Sequence, residues 1–258
     1  MIKQLPSFEY KEYFAKKSHI ALLIPTWNEG ERIQKELQCI KDNNINSKVD
    51  IFLLDGETTD GSLNEKFVTS MGIRGILTIS TKGQGYAYRV GFSKVIDEDY
   101  QYCITVDGNN KDSVEQIPDF IKLLEQGYDF VQGSRFLKGG YHENTPKMRE
   151  LAIKYFSNPL LSFVSGFKYT ETMSAYRGFN VKMLTDDRLQ IFRNIFQTWE
   201  LQWYIASRVP RLGYKIIEIP QSRVYPASGP IPTKINWMGN FRIIFQLLKV
   251  AIGYYNPK

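Results

Sequence analysis

Three times in its first half the chain runs through apolar residues and stops at a polar cluster. Ala21-Leu22-Leu23-Ile24 meets Pro25-Thr26-Trp27-Asn28-Glu29, Ile51-Phe52-Leu53-Leu54 meets Asp55-Gly56-Glu57, and the run 102–106 meets Asp107-Gly108-Asn109-Asn110-Lys111. Short apolar runs bounded by turn residues predict buried strands, here at 19–24, 49–54, 73–79, 102–106 and 128–132. The segments between them carry apolar residues at helical spacing, as at Ile33, Leu37 and Ile40, and predict helices over 29–41, 62–71, 85–96 and 113–126. Asn28 and Ser113 are placed to cap two of them. Such alternation predicts an α/β fold with a mostly parallel sheet covered by helices on both faces. The polar ends of the strands would then meet along one edge of the sheet, where open α/β sheets bind ligands.

Beyond Gly133 the alternation breaks down. Residues 134–148 hold glycines and basic residues with little apolar content, which suggests a functional loop. Helices are expected at 149–163, bent at Pro159, and at 192–209, with strands at 172–179 and 214–219. From 235 to 254 Arg242, Gln246, Lys249 and Gly253 share one face while apolar residues cover the rest. That pattern predicts an amphipathic terminal helix that docks on its own domain or lies in a membrane interface. The expected division is a lead-in at 1–18, loosely packed, a domain at 19–234 with a nucleotide-binding half (19–133) and an acceptor half (134–234), and the terminal helix at 235–258.

At 258 residues and 43% hydrophobic content the chain can bury a large core. Its net charge of +6 is dispersed, which argues against a nucleic-acid arm and for an anionic small molecule or membrane face. The two cysteines, Cys39 and Cys103, lie far apart among apolar neighbours and read as reduced thiols of a cytoplasmic protein. No apolar run reaches the length of a membrane span or a signal-peptide core.

Trp27 is placed either to stack on a nucleobase or to pack as a core tryptophan. Asp55 follows four apolar residues directly, whereas Asp60-Gly61 fits a simple turn. The stretch Lys82-Gly83-Gln84-Gly85-Tyr86-Ala87-Tyr88-Arg89 opens a helix with glycines and cations, as anion sites do, but follows the wrong strand for a dinucleotide fingerprint. No phosphate-cradling GxxxxGK[ST] loop, metal-spaced histidine pair or GxSxG elbow occurs.

Taken in order, seven segments resemble inverting family 2 glycosyltransferases, in particular the dolichyl- and polyprenyl-phosphate mannose or glucose synthases. LIPTWNEGERI is similar to their PAYNE-type opening, DGETTDGS to their DDGSTDGT turn, VDGNNK to the DxD segment and GSRFLKGG to GSRY-GG. ETMSAYRGF, RLGYKIIEIP and PTKI resemble their DxTSGFR, GYRIxEVP and GxSK, so the likeness spans 19–235. It implies a GT-A fold and transfer of a sugar from a UDP- or GDP-linked donor. By position, Pro25, Thr26, Trp27, Glu29, Asp55, Lys82, Gly83, Arg89, Asp107 and Gly108 would hold the nucleotide. Asp107 and Asn109 would hold Mg²⁺ or Mn²⁺, which stabilises the leaving diphosphate. Here the chain departs from the pattern, because the second acid is Asn109 and the residue two further on, often glutamine, is Lys111. The site is either a weakened metal site or one in which Lys111 takes over part of the cation's role. Arg135, Arg149, Arg177 and Lys234 match positions that bind an acceptor phosphate. A phosphate acceptor needs no general base; a hydroxyl acceptor would, and Glu171 or Glu200 could serve, although Glu200 equally fits a paired structural carboxylate.

The expected function is transfer of a sugar to a polyprenyl phosphate or membrane-linked glycan in cell-surface polysaccharide synthesis, on the inner face of the cell membrane. Two alternatives stand: a non-catalytic module that binds a sugar nucleotide through a degenerate DGN site, and a nucleotidyltransferase, which lacks its triphosphate loop here.

Overall fold

The computed structural model describes residues 2–227 and 237–257. In chain order its first half comprises β1 (Phe8–Glu12), β2 (Ile20–Thr26), α1 (Glu31–Asp42), β3 (Asp50–Asp55), α2 (Glu65–Ser70), β4 (Gly75–Ile79), α3 (Gln84–Asp97), β5 (Tyr102–Thr105) and α4 (Ile117–Glu125). There follow β6 (Phe130–Ser134), β7 (Tyr141–Glu143), α5 (Lys147–Ala152), a π-helical turn (Ile153–Ser157) and α6 (Asn158–Ser165). The remainder is β8 (Arg177–Asn180), α7 (Val181–Leu184), α8 (Glu200–Arg211), β9 (Ile216–Pro220), β10 (Ser222–Val224) and α9 (Trp237–Ala251).

Eight strands form one sheet in the order β1-β4-β3-β2-β5-β8-β6-β9. β4, β3, β2 and β5 run parallel; β1 and β8 are antiparallel to their neighbours. Alternation within the apolar runs builds the two faces. Leu22, Ile24, Ile51 and Leu53 pack with α1 and α4 on one side, and Ala21, Leu23, Phe52 and Leu54 with α3 and α8 on the other. Both sets are buried, which is why these strands read as continuous apolar runs rather than as alternating ones.

Several boundaries differ from expectation for identifiable reasons. The lead-in is an edge strand whose Phe8-to-Glu12 ladder pairs with β4, so its charge-aromatic alternation marks an exposed strand and not a loose tail. Asn28 does not cap α1; Gly30 occupies that place, and Asn28 Oδ1 instead accepts from Thr59 N at 2.8 Å, tying the first polar turn to the second. The strand expected from 172 begins only at Arg177, because residues 170–172 are held by side chains: Thr170 N and Glu171 N donate to Glu218, and Thr172 N donates to Asn158. The helix expected from 192 starts at Glu200; Ile191, Phe192 and Phe196 are core residues of an irregular segment. Pro159 lies in the first turn of α6, directly after the π-helical turn, so the expected bend is a local unwinding.

The terminal helix docks on its own domain, one of the two outcomes its pattern allowed, and leaves part of its apolar surface uncovered. Leu247 and Val250 are buried against the domain, while Phe241, Phe245 and Ile252 are 59%, 63% and 80% exposed. Phe163 on α6 and Tyr155 on the π-helical turn are also exposed, at 84% and 77%. No helix among the described residues is long and apolar enough to cross a membrane.

Candidate functional site

β2 carries β3 on one side and β5 on the other, so the strand order turns at the point where their polar carboxyl ends lie side by side. A cleft of about 970 Å³ opens there. Residues at the end of β2 and just after it (Pro25, Thr26, Trp27, Glu29), at the start of α3 (Lys82, Gly83, Gln84) and after β5 (Asp107, Gly108, Asn109, Lys111) line it. Arg135, Arg149, Arg223 and Tyr225 close the far side.

At one end Lys82 Nζ lies 4.1 Å from the centroid of the Trp27 ring, and the ring backs onto Gly56, where an added Cβ would come within 3.3 Å of Trp27 Cβ. Glu29 accepts from Arg32 at 2.8 Å. Asp55 does not line the cleft, though its neighbours Leu54 and Gly56 do; its carboxylate accepts from Thr58 N at 3.0 Å and shapes the turn beneath Trp27. Burial raises its pKa, with Thr58 opposing. Gly83 lines the cleft, and its glycine requirement has a local cause: φ is +149°, and a Cβ would lie 2.3 Å from the Gln197 carbonyl oxygen. Gly108 is enclosed likewise, with Ile24, Ile33 and Pro25 O each 3.0 Å from a Cβ built there.

In the middle, Asp107 accepts from Gln84 Nε2 at 3.0 Å and from Arg223 Nη2 at 3.4 Å. The other arm of Arg223 donates to Asp112, which is buried. Lys111 is 7% exposed and sits 5.0 Å from the Tyr225 ring. Burial, then Arg223, lowers its pKa to about 8, so it stays mainly protonated at neutral pH. The residues here do not fit a divalent cation well. The turn offers one carboxylate, already bonded to a guanidinium, and one neutral oxygen, Asn109 Oδ1, which is buried without a hydrogen-bond partner. No group of three or more His, Cys, Asp or Glu among the described residues could hold a metal.

At the far end Arg135, 3% exposed, donates from Nε to Glu171 at 2.6 Å, and its Nη1 has no partner. Burial opposes the Arg135 charge, and Glu171 more than restores it. Arg149 Nη1 donates to the Tyr225 hydroxyl at 3.3 Å. Burial pushes the Tyr225 phenol up, but Arg223, Lys111, Arg135 and Arg149 outweigh it and hold it down at about 7. The cleft is also lined by apolar residues, among them Met148, Ala152 and Phe156 and, from α9, Ile243, Ile244 and Leu247.

Besides Asp55, four expected site residues lie elsewhere. Arg89 is fully buried and donates to Gln4 O and to Asn194 Oδ1, tying the amino terminus to the domain. Arg177 donates to the carbonyls of Ser174, Thr172 and Gln202 in the core. Glu171 is fully buried beside Arg135, and its other oxygen accepts from Met173 N at 2.9 Å. Glu200 accepts from Gln197 N, Thr198 N and Gln246 Nε2. Neither glutamate faces the cleft, so neither is placed to take a proton from an acceptor there. Lys234 lies outside the described residues. Sequence reasoning missed Gln84, Arg223 and Tyr225 as site residues; the two last follow the final expected strand in the alternating Ser222-Arg223-Val224-Tyr225, a period-2 signal of a further strand.

Residues 21–197 match the model for Glycosyl transferase family 2. Among curated proteins the chain is similar to an undecaprenyl-phosphate mannosyltransferase of Micrococcus luteus, 24% identical over 204 residues that cover 78% of this chain and 82% of that one. It is also similar to a dolichyl-phosphate hexose transferase of Haloferax volcanii, 27% identical over 201 residues covering 78% and 81%. Among solved structures, glucosyl-3-phosphoglycerate synthase from Mycobacterium tuberculosis in complex with Mn²⁺, uridine diphosphate and phosphoglyceric acid superposes with a TM-score of 0.61 at 13% identity. That superposition covers 93% of this chain and 79% of that one.

Proposed function

The chain belongs to glycosyl transferase family 2, with a GT-A fold, and from that premise we propose that it moves a sugar from a UDP- or GDP-linked donor to a polyprenyl phosphate at a membrane surface. The observation that carries this reading is the set of chemistries gathered in one cleft: an aromatic ring beside Lys82, a carboxylate turn with Lys111 and Arg223, a pair of arginines, and apolar walls. A nucleoside, a diphosphate, an acceptor phosphate and an isoprenoid chain together call for those chemistries. Stacking on Trp27 would contribute about 1–3 kcal/mol whichever base is present.

The reaction is an in-line displacement. An acceptor phosphate oxygen forms the new bond to the anomeric carbon, the bond from that carbon to the donor diphosphate breaks, and its electron pair leaves with the nucleoside diphosphate. Arg135 and Arg149 orient the acceptor phosphate, and Gln84 and Arg223 hold the Asp107 side of the turn against the donor. Among the cleft-lining residues the carboxylates are Glu29 and Asp107, one paired to Arg32 and the other to Arg223. A nucleophile that is already ionised suits a site so equipped, and a hydroxyl acceptor does not. The exposed apolar face of α9 and the aromatic residues Tyr155 and Phe163 support docking on lipid, with the isoprenoid entering between α5 and α9.

The test is transfer. Purified protein with UDP- and GDP-hexoses and vesicles containing undecaprenyl phosphate should yield a glycosyl-phosphoryl-polyprenol of inverted anomeric configuration, with one nucleoside diphosphate released per sugar moved. Nucleotide binding without donor consumption would leave a binding module, and pyrophosphate release from a nucleoside triphosphate would point to a nucleotidyltransferase.

A further inference from the structure

We propose that Lys111 and Arg223 supply the positive charge that the leaving diphosphate requires, so that this family member grips its donor without a divalent metal. The inference rests on the donor being a nucleoside diphosphate sugar, as proposed above. Its sequence side is a charge replacement: where the family pattern has a second acid and then a glutamine, this chain has Asn109 and Lys111, which removes an anion and adds a cation.

The structural side is how these cations are held. The segment after Asp107 is joined to β10: Asp112 bridges Arg223, Ser113 N donates to Ser222 O at 3.0 Å, and Val224 N donates to Lys111 O at 2.8 Å. That join fixes the backbone of Lys111 and of Arg223 side by side. The Arg223 side chain is held again, by Asp112 on one arm and Asp107 on the other at 3.4 Å. Lys111 and Arg223 are 7% and 6% exposed, and both line the cleft beside Asp107. A guanidinium held by two carboxylates and an ammonium buried on a fixed stretch of backbone need little reorganisation as charge develops on the diphosphate. Asp107 in this arrangement is a positioning residue, spanning Gln84 and Arg223. As the bond from the anomeric carbon to the donor oxygen breaks, the electron pair passes to a diphosphate whose charge these two side chains meet; no proton is transferred.

The experiment titrates full-length protein with UDP and GDP by calorimetry, in EDTA and in Mn²⁺, with electron paramagnetic resonance to count bound Mn²⁺. The expected result for the favoured nucleotide is a dissociation constant that changes less than about 2-fold between the two conditions, with no nucleotide-dependent Mn²⁺ binding. Lys111→Gln should weaken binding at least 10-fold in EDTA. Adding Asn109→Asp to it should restore binding in Mn²⁺ alone, with thermal melting to confirm that each variant is folded. Wild-type binding at least 10-fold tighter in Mn²⁺ than in EDTA overturns the inference and leaves the proposed function standing. Binding of neither nucleotide in either condition overturns the proposed function and the inference with it.

Discussion

Replacing Glu171 by glutamine separates a phosphate acceptor from a hydroxyl acceptor. Glu171 is fully buried, and its two oxygens accept from Arg135 Nε at 2.6 Å and Met173 N at 2.9 Å. A carboxamide keeps one accepting oxygen and turns an NH₂ towards the other donor, so one of these bonds is lost and a guanidinium that is 3% exposed loses its counter-charge. Breaking a buried pair from one side costs roughly 3–5 kcal/mol. At about 2–4 °C per kcal/mol for a domain of this size, the melting temperature should fall by roughly 6–20 °C. Activity behaves differently, because Glu171 does not face the cleft. Assayed well below the melting transition, kcat should change less than about 10-fold, whereas loss of a general base typically costs about 10²–10⁴-fold. The KM for the lipid phosphate should hold or fall, since Arg135 is then released from its bonded carboxylate and can pair with the phosphate. Differential scanning calorimetry and a lipid-transfer assay read the two effects separately. A kcat lowered 100-fold or more in a variant of unchanged melting temperature would refute the reasoning and restore Glu171 as a base.

Further expectations follow from the same geometry. With Tyr225 held down at about 7 by Arg223, Lys111, Arg135 and Arg149 against the upward push of burial, its phenol ionises as pH rises through neutrality and adds a negative charge among cations that bind phosphate. Acceptor affinity should therefore weaken from pH 6 to 8, and Tyr225→Phe should flatten that limb; an unchanged profile in the variant counts against it. Gly83→Ala places a methyl against the Gln197 carbonyl at φ +149° and should lower nucleotide affinity more than 10-fold by displacing Lys82 and Gln84, as calorimetry would read. Phe241→Asp with Phe245→Asp should abolish flotation with anionic liposomes while leaving nucleotide binding intact, and undiminished flotation removes α9 as the docking face.

The strands that carry the site were legible because both faces of the sheet are covered, which leaves Ala21 to Ile24 and Ile51 to Leu54 apolar throughout and makes their polar ends conspicuous. Placement of Trp27 and Asp107 in one cleft followed from parallel pairing of those strands. The second half was harder to read. β8 enters antiparallel between β5 and β6, so its neighbours are distant in sequence and no local alternation announces them. Arg89 and Arg177 were read as ligand-facing from the family resemblance, and Glu200 as either a base or a paired structural carboxylate, because charges in apolar segments mark sites or buried networks equally well in one dimension. Here all three satisfy backbone groups of the 170s, 190s and amino-terminal segments. Arg223 lay unread because its role depends on Asp107 and Asp112, both more than a hundred residues earlier.

The central claim, that the Trp27–Asp107 cleft grips a nucleoside diphosphate sugar for transfer, is tested most directly by donor turnover in Asp107→Ala. Losing the residue that spans Gln84 and Arg223 should reduce sugar transfer by at least 10³-fold in a protein that melts normally. Turnover equal to that of the unaltered chain would place the chemistry elsewhere.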